Sequence, residues 1–339
     1  MKILITGGAG YIGSHVAKQL LEENCEIVIV DNLSTGSLET LEALQKIKPF
    51  LFVKLDLAEL DVLRQVICEN EIDVILHFAA SIVVPESVTN PLKYYRNNTL
   101  LTTHLINIAV EQKVKKFIFS STAAVYGEPV VVPEHGVDEA FETKPINPYG
   151  RSKLMSEQIL KDTALVYPDF KYVIFRYFNV AGCDIESKHP RIGQRFPNAT
   201  HLIKIASECA IGKRDKVSIF GDDYATKDGT GVRDYIHVDD LARAHVDAIG
   251  YLDENESDTF NIGYGKGYSV KEVIQTMQQV SPLEIKTEIT ARRLGDPAML
   301  IANNAKIIHQ MKWKPRYDNL ELICKSAYEW EKMMNARTK

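Results

Sequence analysis

Tyr149 and Lys153 stand four residues apart in the run YGRSK, so on a helix a phenol and an ammonium share one face. A free phenol has a pKa of about 10 and is a poor base at neutral pH, but a nearby positive charge favours its anion. Spacing alone does not single out this pair, because Tyr167/Lys171 and Tyr328/Lys332 repeat it. Context does. Only Tyr149 follows a strand-like run, KFIFSST, whose end supplies Thr122, a hydroxyl suited to holding a substrate oxygen while a phenol moves its proton.

A partner for that proton transfer is encoded at the start of the chain. The run TGGAGYIGSH sets Gly7, Gly8, Gly10 and Gly13 between an apolar strand and an amphipathic helix. Such a turn lets backbone N–H groups and the positive end of a helix meet a pyrophosphate, and Tyr11 and Ile12 lie inside it. Asp31 ends the second strand, eighteen residues past Gly13, where a carboxylate can accept hydrogen bonds from the adenosine ribose. The alternative for Asp31 is that it only caps a turn. Asn32, Leu33, Ser34, Thr35 and Gly36 supply no arginine for a 2′-phosphate, which favours NAD over NADP. Asp56 and Leu57 end the third strand and can meet the adenine. Phe78, Ala79 and Ala80 end the fourth, and the two alanines let the backbone pass close to a cofactor. A nicotinamide bound there would take a hydride, and its cationic ring, with the Lys153 ammonium, would favour the Tyr149 phenolate.

The elements that must position these groups alternate. Strand-like KILIT, EIVIV, FLFVKL, VILHF, KFIFSS and YVIFRYF are separated by helical patterns over 13–23, 35–47, 59–70, 91–112 and 149–166. Repeated βαβ units imply an α/β fold, a Rossmann-like doubly wound parallel sheet with ligands at the carboxyl ends of its strands. After residue 180 the pattern loosens through a Gly-, Pro- and charge-containing stretch from Cys183 to Asn198. The simplest division is a NAD-binding domain over 1–180, with a return segment near 235–265, and a smaller mixed α/β substrate domain over 181–339. A last helix over 319–334 ends in NARTK, which is expected to fray.

Composition excludes several other classes. With 339 residues, 45% hydrophobic, 25% charged and a net charge of −5, the chain is an ordinary globular protein without a basic face for nucleic acid. Cys25, Cys68, Cys183, Cys209 and Cys324 are scattered and never form CxxC, so neither a disulfide framework nor a metal site is expected and the compartment should be reducing. The first residues lack the pattern of a signal peptide, and no run of about 18 apolar residues occurs. A cytoplasmic location without a membrane partner follows as the expectation.

Taken together, TGGAGYIGSH, DNLSTG, HFAA, YYRNN, SSTAAVYG, NPYGRSK, RYFNVAG, IFGDDYATKDGTGVRDYIHVDDLA and RRLGDPA resemble the extended short-chain dehydrogenase/reductase family, and within it the UDP-hexose 4-epimerases, nearly from end to end. By that resemblance Tyr11, Ile12, Asp31 to Gly36, Asp56, Leu57, Phe78, Asn97, Lys153 and Phe178 contact NAD. It implies that Thr122, Tyr149, Asn179, His201, Leu202, Ser218, Ile219, Phe220, Arg233, Arg293 and Asp296 hold a UDP-sugar. Local guanidinium forks also suit a net-acidic protein that binds a diphosphate, although either arginine taken singly reads as a surface charge. The implied reaction is reversible oxidation at the sugar C4: Tyr149 takes the hydroxyl proton, hydride passes to NAD, and the 4-keto sugar turns over before the hydride returns. The resemblance further implies a homodimer packed through two helices per subunit.

Three departures refine the expectation. Dehydratases and decarboxylases of this family usually carry an acid just after the threonine of the fifth strand, whereas Thr122 is followed by Ala123-Ala124-Val125. Thr122 stands where many epimerases have serine, and Ile82 where several members have lysine, so one polar contact to NAD is missing from the pattern. Leu300 falls where strictly hexose-specific members place tyrosine. The smaller residue would admit 2-acetamido sugars and add UDP-GlcNAc/UDP-GalNAc as substrates; its plain alternative is a core leucine. His77, His237 and His309 form no ligand spacing and are expected in core or surface roles. Epimerases of uronates or pentoses, a dehydratase, and a non-catalytic sensor of NAD or UDP-sugar complete the alternatives.

Overall fold

The computed structural model describes residues 1–129, 131–186, 189, 191–197, 199–293 and 295–337. Leu294 of the RRLGDPA motif, Ser187, Lys188, Pro190 and Asn198 of the 183–198 stretch, and Thr338 and Lys339 of the tail expected to fray lie outside them.

Seven strands form one parallel sheet. They are β1 (Lys2–Thr6), β2 (Glu26–Asp31), β3 (Leu51–Lys54), β4 (Val74–His77), β5 (Lys116–Thr122), β6 (Lys171–Tyr177) and, after three further strands, β10 (Asp258–Ile262). Their order is β10-β6-β5-β4-β1-β2-β3, every neighbour being parallel. Alternation along each strand splits the core in two: Ile3, Ile5, Leu76, Ile118 and Phe175 face one helical layer, and Leu4, Ile75, Phe117, Phe119 and Ile174 the other. The order reverses between β2 and β4 around β1, which opens a crevice at the carboxyl ends of β1 and β4.

The connecting helices are α1 (Tyr11–Glu22), α2 (Leu38–Gln45), α3 (Leu60–Glu69), α4 (Val84–Thr89), α5 (Pro91–Tyr94), α6 (Leu101–Glu111) and α7 (Pro148–Val166). The helix expected over 91–112 is interrupted: a π-helical segment, Tyr95–Leu100, joins α5 to α6. The cause lies in its asparagines. Asn98 is buried, accepts the Ser81 N–H at 2.8 Å and donates to the Ser81 carbonyl and the Ser152 hydroxyl, and the wider turn turns it inward. Helix α4 was hidden by its brevity and by Pro85.

Helix α7 starts where Asn147 accepts the Gly150 N–H at 2.8 Å and Pro148 takes a first-turn position. Its buried stripe is Ser152, Lys153, Ser156, Glu157 and Leu160. A helix that buries so many polar groups must satisfy them with specific partners, which makes this stripe a place for chemistry rather than plain packing.

Beyond β6 come β7 (Asn179–Ala181), α8 (Leu202–Ala210), β8 (Val217–Phe220) and β9 (Val232–His237). Helix α9 (Val238–Glu254) then packs against α1, and β10 pairs with β6, so the chain returns to the main sheet. The remainder is β11 (Gly267–Ser269), α10 (Val270–Val280), β12 (Thr287–Thr290), β13 (Met299–Leu300), α11 (Ala305–Gln310) and α12 (Leu320–Arg337). Strands β11, β9 and β13 form a second sheet with β7 beside β9, and β12 pairs with β8.

Candidate active site

A cleft of about 850 Å3 runs along the carboxyl ends of the main strands and between them and the later elements. At one end lies the glycine turn. Gly7 has φ +73°, and a Cβ there would stand 2.7 Å from the Ala79 nitrogen; one on Gly13 would stand 2.4 Å from the Gly7 carbonyl oxygen. The turn is therefore shaped by close backbone approach that only glycine permits. Gly10 is the N-cap of α1, no side chain caps it and no acid sits in the first turn, so the N-terminal N–H groups and the positive helix end are presented to the cleft. That cradle fits a dinucleotide pyrophosphate.

Asp31 is 7% exposed. Its carboxylate accepts the Ala9 N–H at 3.0 Å and the Leu33 N–H at 2.8 Å, one on each oxygen. Burial pushes its pKa up while these two donors pull it down. Each oxygen keeps acceptor capacity for a ribose diol, so capping the turn and binding the ribose are compatible. Asp31→Ala is expected to weaken NAD binding by about 1.5–3 kcal/mol, the usual worth of hydrogen bonds to a charged group. Calorimetric titration with NAD checks this, and unchanged affinity would reduce Asp31 to a turn cap.

The other residues expected to hold a cofactor distribute as follows. Gly7, Gly10, Tyr11, Ile12, Gly13, Asn32, Ser34, Thr35, Asp56, Leu57, Phe78, Ala79, Ala80, Asn97 and Phe178 line the cleft. Leu33 and Gly36 do not. Leu33 adopts φ 61° to form the turn, and Gly36 packs so tightly on Ala9 that a Cβ would stand 2.7 Å from the Ala9 Cβ. Asp56 is held by Asn32 at 2.7 Å and the Ala58 N–H at 2.9 Å. Asn97 donates to the Ser81 hydroxyl at 3.0 Å.

Thr122, Tyr149 and Lys153 meet deeper in the same cleft. The Thr122 oxygen accepts the Ala124 N–H at 3.1 Å, which leaves its own proton to be donated into the cleft that Tyr149 also lines. Burial raises the Tyr149 pKa, opposed by the nearby Thr122 hydroxyl. Lys153 Nζ donates to the Ser120 carbonyl at 2.7 Å and lies 4.8 Å over the Phe119 ring. Burial pulls Lys153 down to about 7, opposed by the Glu157 carboxylate. The direct lowering contact on the phenol thus comes from Thr122, and Lys153 is turned to the strand; a bound nicotinamide cation would add the remaining positive charge beside the phenol. Tyr94 packs edge-on to the Tyr149 ring with centroids 6.4 Å apart, and its own hydroxyl donates to the Val83 carbonyl.

Of the residues expected around a sugar nucleotide, Asn179, His201, Arg233, Arg293, Asp296 and Leu300 line the far part of the cleft. His201 hydrogen-bonds Gln194 through Nδ1 at 3.0 Å, and burial lowers its pKa. Arg233 donates to the Val232 carbonyl at 2.8 Å and pairs with Asp296. Arg293 lies 3.5 Å over the Phe220 ring. Leu300 is 6% exposed and packs with Ala123, Val125, Phe178 and Ala302 while still forming cleft wall, so it is both core and lining. Leu202, Ser218, Ile219 and Phe220 are not brought to the cleft. Ile219 is core, and Phe220 acts through Arg293 as its shelf.

Sequence reading missed Ser81, Val83 to Glu86, Ser120, Asn147, Tyr177 and the 193–196 loop, all of which line the cleft. The first group directly follows HFAA, and Asn147 opens NPYGRSK as a helix cap, so both carried a local signal. Ile82 also lines the cleft. His77 is buried between Thr6 and Thr102, its pKa pulled down to about 3, and His237 is buried with its pKa pulled down to about 4, whereas His309 is exposed. No cluster of metal-ligating side chains occurs among the described residues.

A glycine-turn cradle, a buried acid at the end of the second strand and a hydroxyl and a phenol in one crevice define a dinucleotide-dependent enzyme of the short-chain type. Residues 3–263 match the model of the NAD dependent epimerase/dehydratase family, and the chain belongs to that family. It is similar to a UDP-glucose 4-epimerase of Azospirillum brasilense, 45% identical across 98% of this chain and 92% of that one. Among solved structures it is similar to the UDP-Glc/GlcNAc 4-epimerase of Campylobacter jejuni, 55% identical with a TM-score of 0.85 over 98% of this chain and 99% of that one. A UDP-glucose 4-epimerase of Stenotrophomonas maltophila with bound NAD and formylated UDP-arabinopyranose superposes with a TM-score of 0.93 at 36% identity, covering 99% of both chains.

Proposed function

We propose that the chain is an NAD-dependent UDP-sugar 4-epimerase that interconverts UDP-glucose and UDP-galactose by reversible oxidation at C4. The observation that carries this reading is that Thr122, Tyr149 and Lys153 line the same cleft as the glycine cradle, with Ala123 and Ala124 after Thr122 in place of an acid. NAD, when bound, supplies the hydride acceptor and donor. Thr122 orients the sugar 4-hydroxyl, and Tyr149 takes and returns its proton at the phenol oxygen. Lys153 holds the cofactor side of the site as a buried cation. Arg233 and Arg293 bind the diphosphate, and Asn179 and Asp296 hold the UDP-sugar beside them, leaving the hexose free to turn over. Ala123 and Ala124, which line the cleft beside Thr122, provide no carboxylate for an elimination. Proton NMR of the purified protein with UDP-Glc, UDP-GlcNAc, UDP-GlcA and UDP-Xyl, without added cofactor, tests the reading. A flat time course on all four despite bound NAD would leave a sensor in its place.

Leu300 supports the 2-acetamido pair as a second substrate set, because it leaves room in the wall where a tyrosine would stand. Leu300→Tyr is expected to lower kcat/KM for UDP-GlcNAc by about 10–200-fold, the discrimination a tightened apolar pocket gives, with little change for UDP-Glc. Equal losses on both pairs would remove the steric account.

The enzyme works as a cytoplasmic homodimer packed through α6 and α7. In support, Leu100, Met155, Leu165 and Val166 are exposed on or beside these helices. Among the described residues no helix is long and apolar enough to cross a membrane.

A further inference from the structure

Below the cleft a buried polar chain reaches from α7 across β5 to β6. Glu157 is fully buried and lies one helical turn beyond Lys153. One of its oxygens accepts the Ser121 hydroxyl at 2.5 Å and Arg176 Nε at 3.1 Å; the other accepts Arg176 Nη2 at 2.7 Å. Arg176 continues to the Tyr126 hydroxyl at 3.0 Å and the Glu139 carbonyl at 3.2 Å, and Tyr126 donates to Asn261. None of Glu157, Ser121 or Arg176 lines the cleft.

Ser121 is flanked by the two residues that serve the proton-moving pair. The Ser120 carbonyl receives Lys153, and Thr122 lines the cleft together with Tyr149. Side chains alternate across a strand, so Ser121 points to the opposite face from Thr122, into α7, where Glu157 holds it. We infer that Glu157 is a positioning residue: through Ser121 it fixes residues 120–122 against α7, so that the Ser120 carbonyl and the Thr122 hydroxyl stand in register with Lys153 and Tyr149. The inference rests on the proposed proton-moving role of Tyr149.

Two physical consequences follow. Geometry comes first, because a small misplacement of a reacting group is costly in rate. Charge comes second. The groups shown beside Lys153 are Glu157 from its own helix, the Ser120 carbonyl and Phe119 ring from β5, and neutral His77 from β4; Glu157 in turn is paired with Arg176 from β6 and has Lys161 3.9 Å away. Among these Glu157 is the carboxylate that favours the Lys153 ammonium. Neutralising it makes Lys153 lose its proton at lower pH, so the alkaline limb of the rate profile moves down.

Ser121→Ala leaves the Glu157–Arg176 pair intact, which protects the fold from an uncompensated buried charge. Its kcat for UDP-glucose is expected to fall about tenfold with KM within about twofold, and Ser121→Thr, which keeps the hydroxyl, is expected to restore it. Glu157→Gln is expected to shift the alkaline limb of kcat to lower pH. A Ser121→Ala enzyme with kcat within about twofold of the parent, whatever its Tm, overturns the inference; an unmoved limb in Glu157→Gln overturns its electrostatic half. Tyr149→Phe run alongside separates the two readings. If that variant stays active, the proposed function fails, and if it is inactive while Ser121→Ala is normal, only the positioning role fails.

Discussion

Tyr149→Phe is expected to lower kcat for UDP-glucose/UDP-galactose interconversion by about 10^3-fold, within the range that a positioned general acid–base group contributes. The phenyl ring keeps the edge-on packing against Tyr94, so the loss should be chemical and not structural. Bound NAD should remain, since the cradle and Asp31 are untouched. The measurement is a steady-state assay paired with thermal unfolding and the cofactor content of the purified enzyme. Retained activity would move the proton-transfer role elsewhere and dismantle the assignment.

Gly13→Ala is expected to be nearly as damaging by a different route. The new Cβ would stand 2.4 Å from the Gly7 carbonyl oxygen and 3.0 Å from both the Gly7 carbonyl carbon and the Gly8 Cα, all of it backbone that cannot swing aside. The turn must open, at an overpacking cost of about 1–3 kcal/mol, and the first-turn N–H groups then no longer converge on an anion. The purified variant should carry little NAD and melt at lower temperature. Full cofactor occupancy with an unchanged Tm would mean that the turn tolerates a side chain.

Much of this site could be read before any coordinates, because its residues act through local order. The glycine turn, Asp31 and the Tyr149/Lys153 pair are each defined within a few residues of a strand or helix end, and periodicity locates those ends. Six of the seven strands of the parallel sheet were legible for the same reason, as apolar, β-branched runs of four to seven residues, all but β3 largely buried. The π segment over 95–100 was not, since its cause is Asn98 meeting Ser81 and Ser152, contacts that join three separate elements. Nor was the orientation of Lys153. Spacing put it on the Tyr149 face, but only the packed helix shows that the Ser120 carbonyl takes its ammonium. Phe220 illustrates a further limit: it stands outside the cleft and stacks under Arg293, which lines it, a placement no local pattern announces.

The pairing of β10 with β6 bears on how the protein can be dissected. Severing the chain near residue 180 would strip α9 from α1 and leave Val173, Phe175 and Tyr177 on a raw sheet margin, an invitation to edge-to-edge aggregation. The nucleotide half and the sugar half are thus not interchangeable cassettes, and a chimera that swaps specificity must graft loops into the intact frame, because one continuous ribbon from Arg233 to Ile262 stitches both halves together.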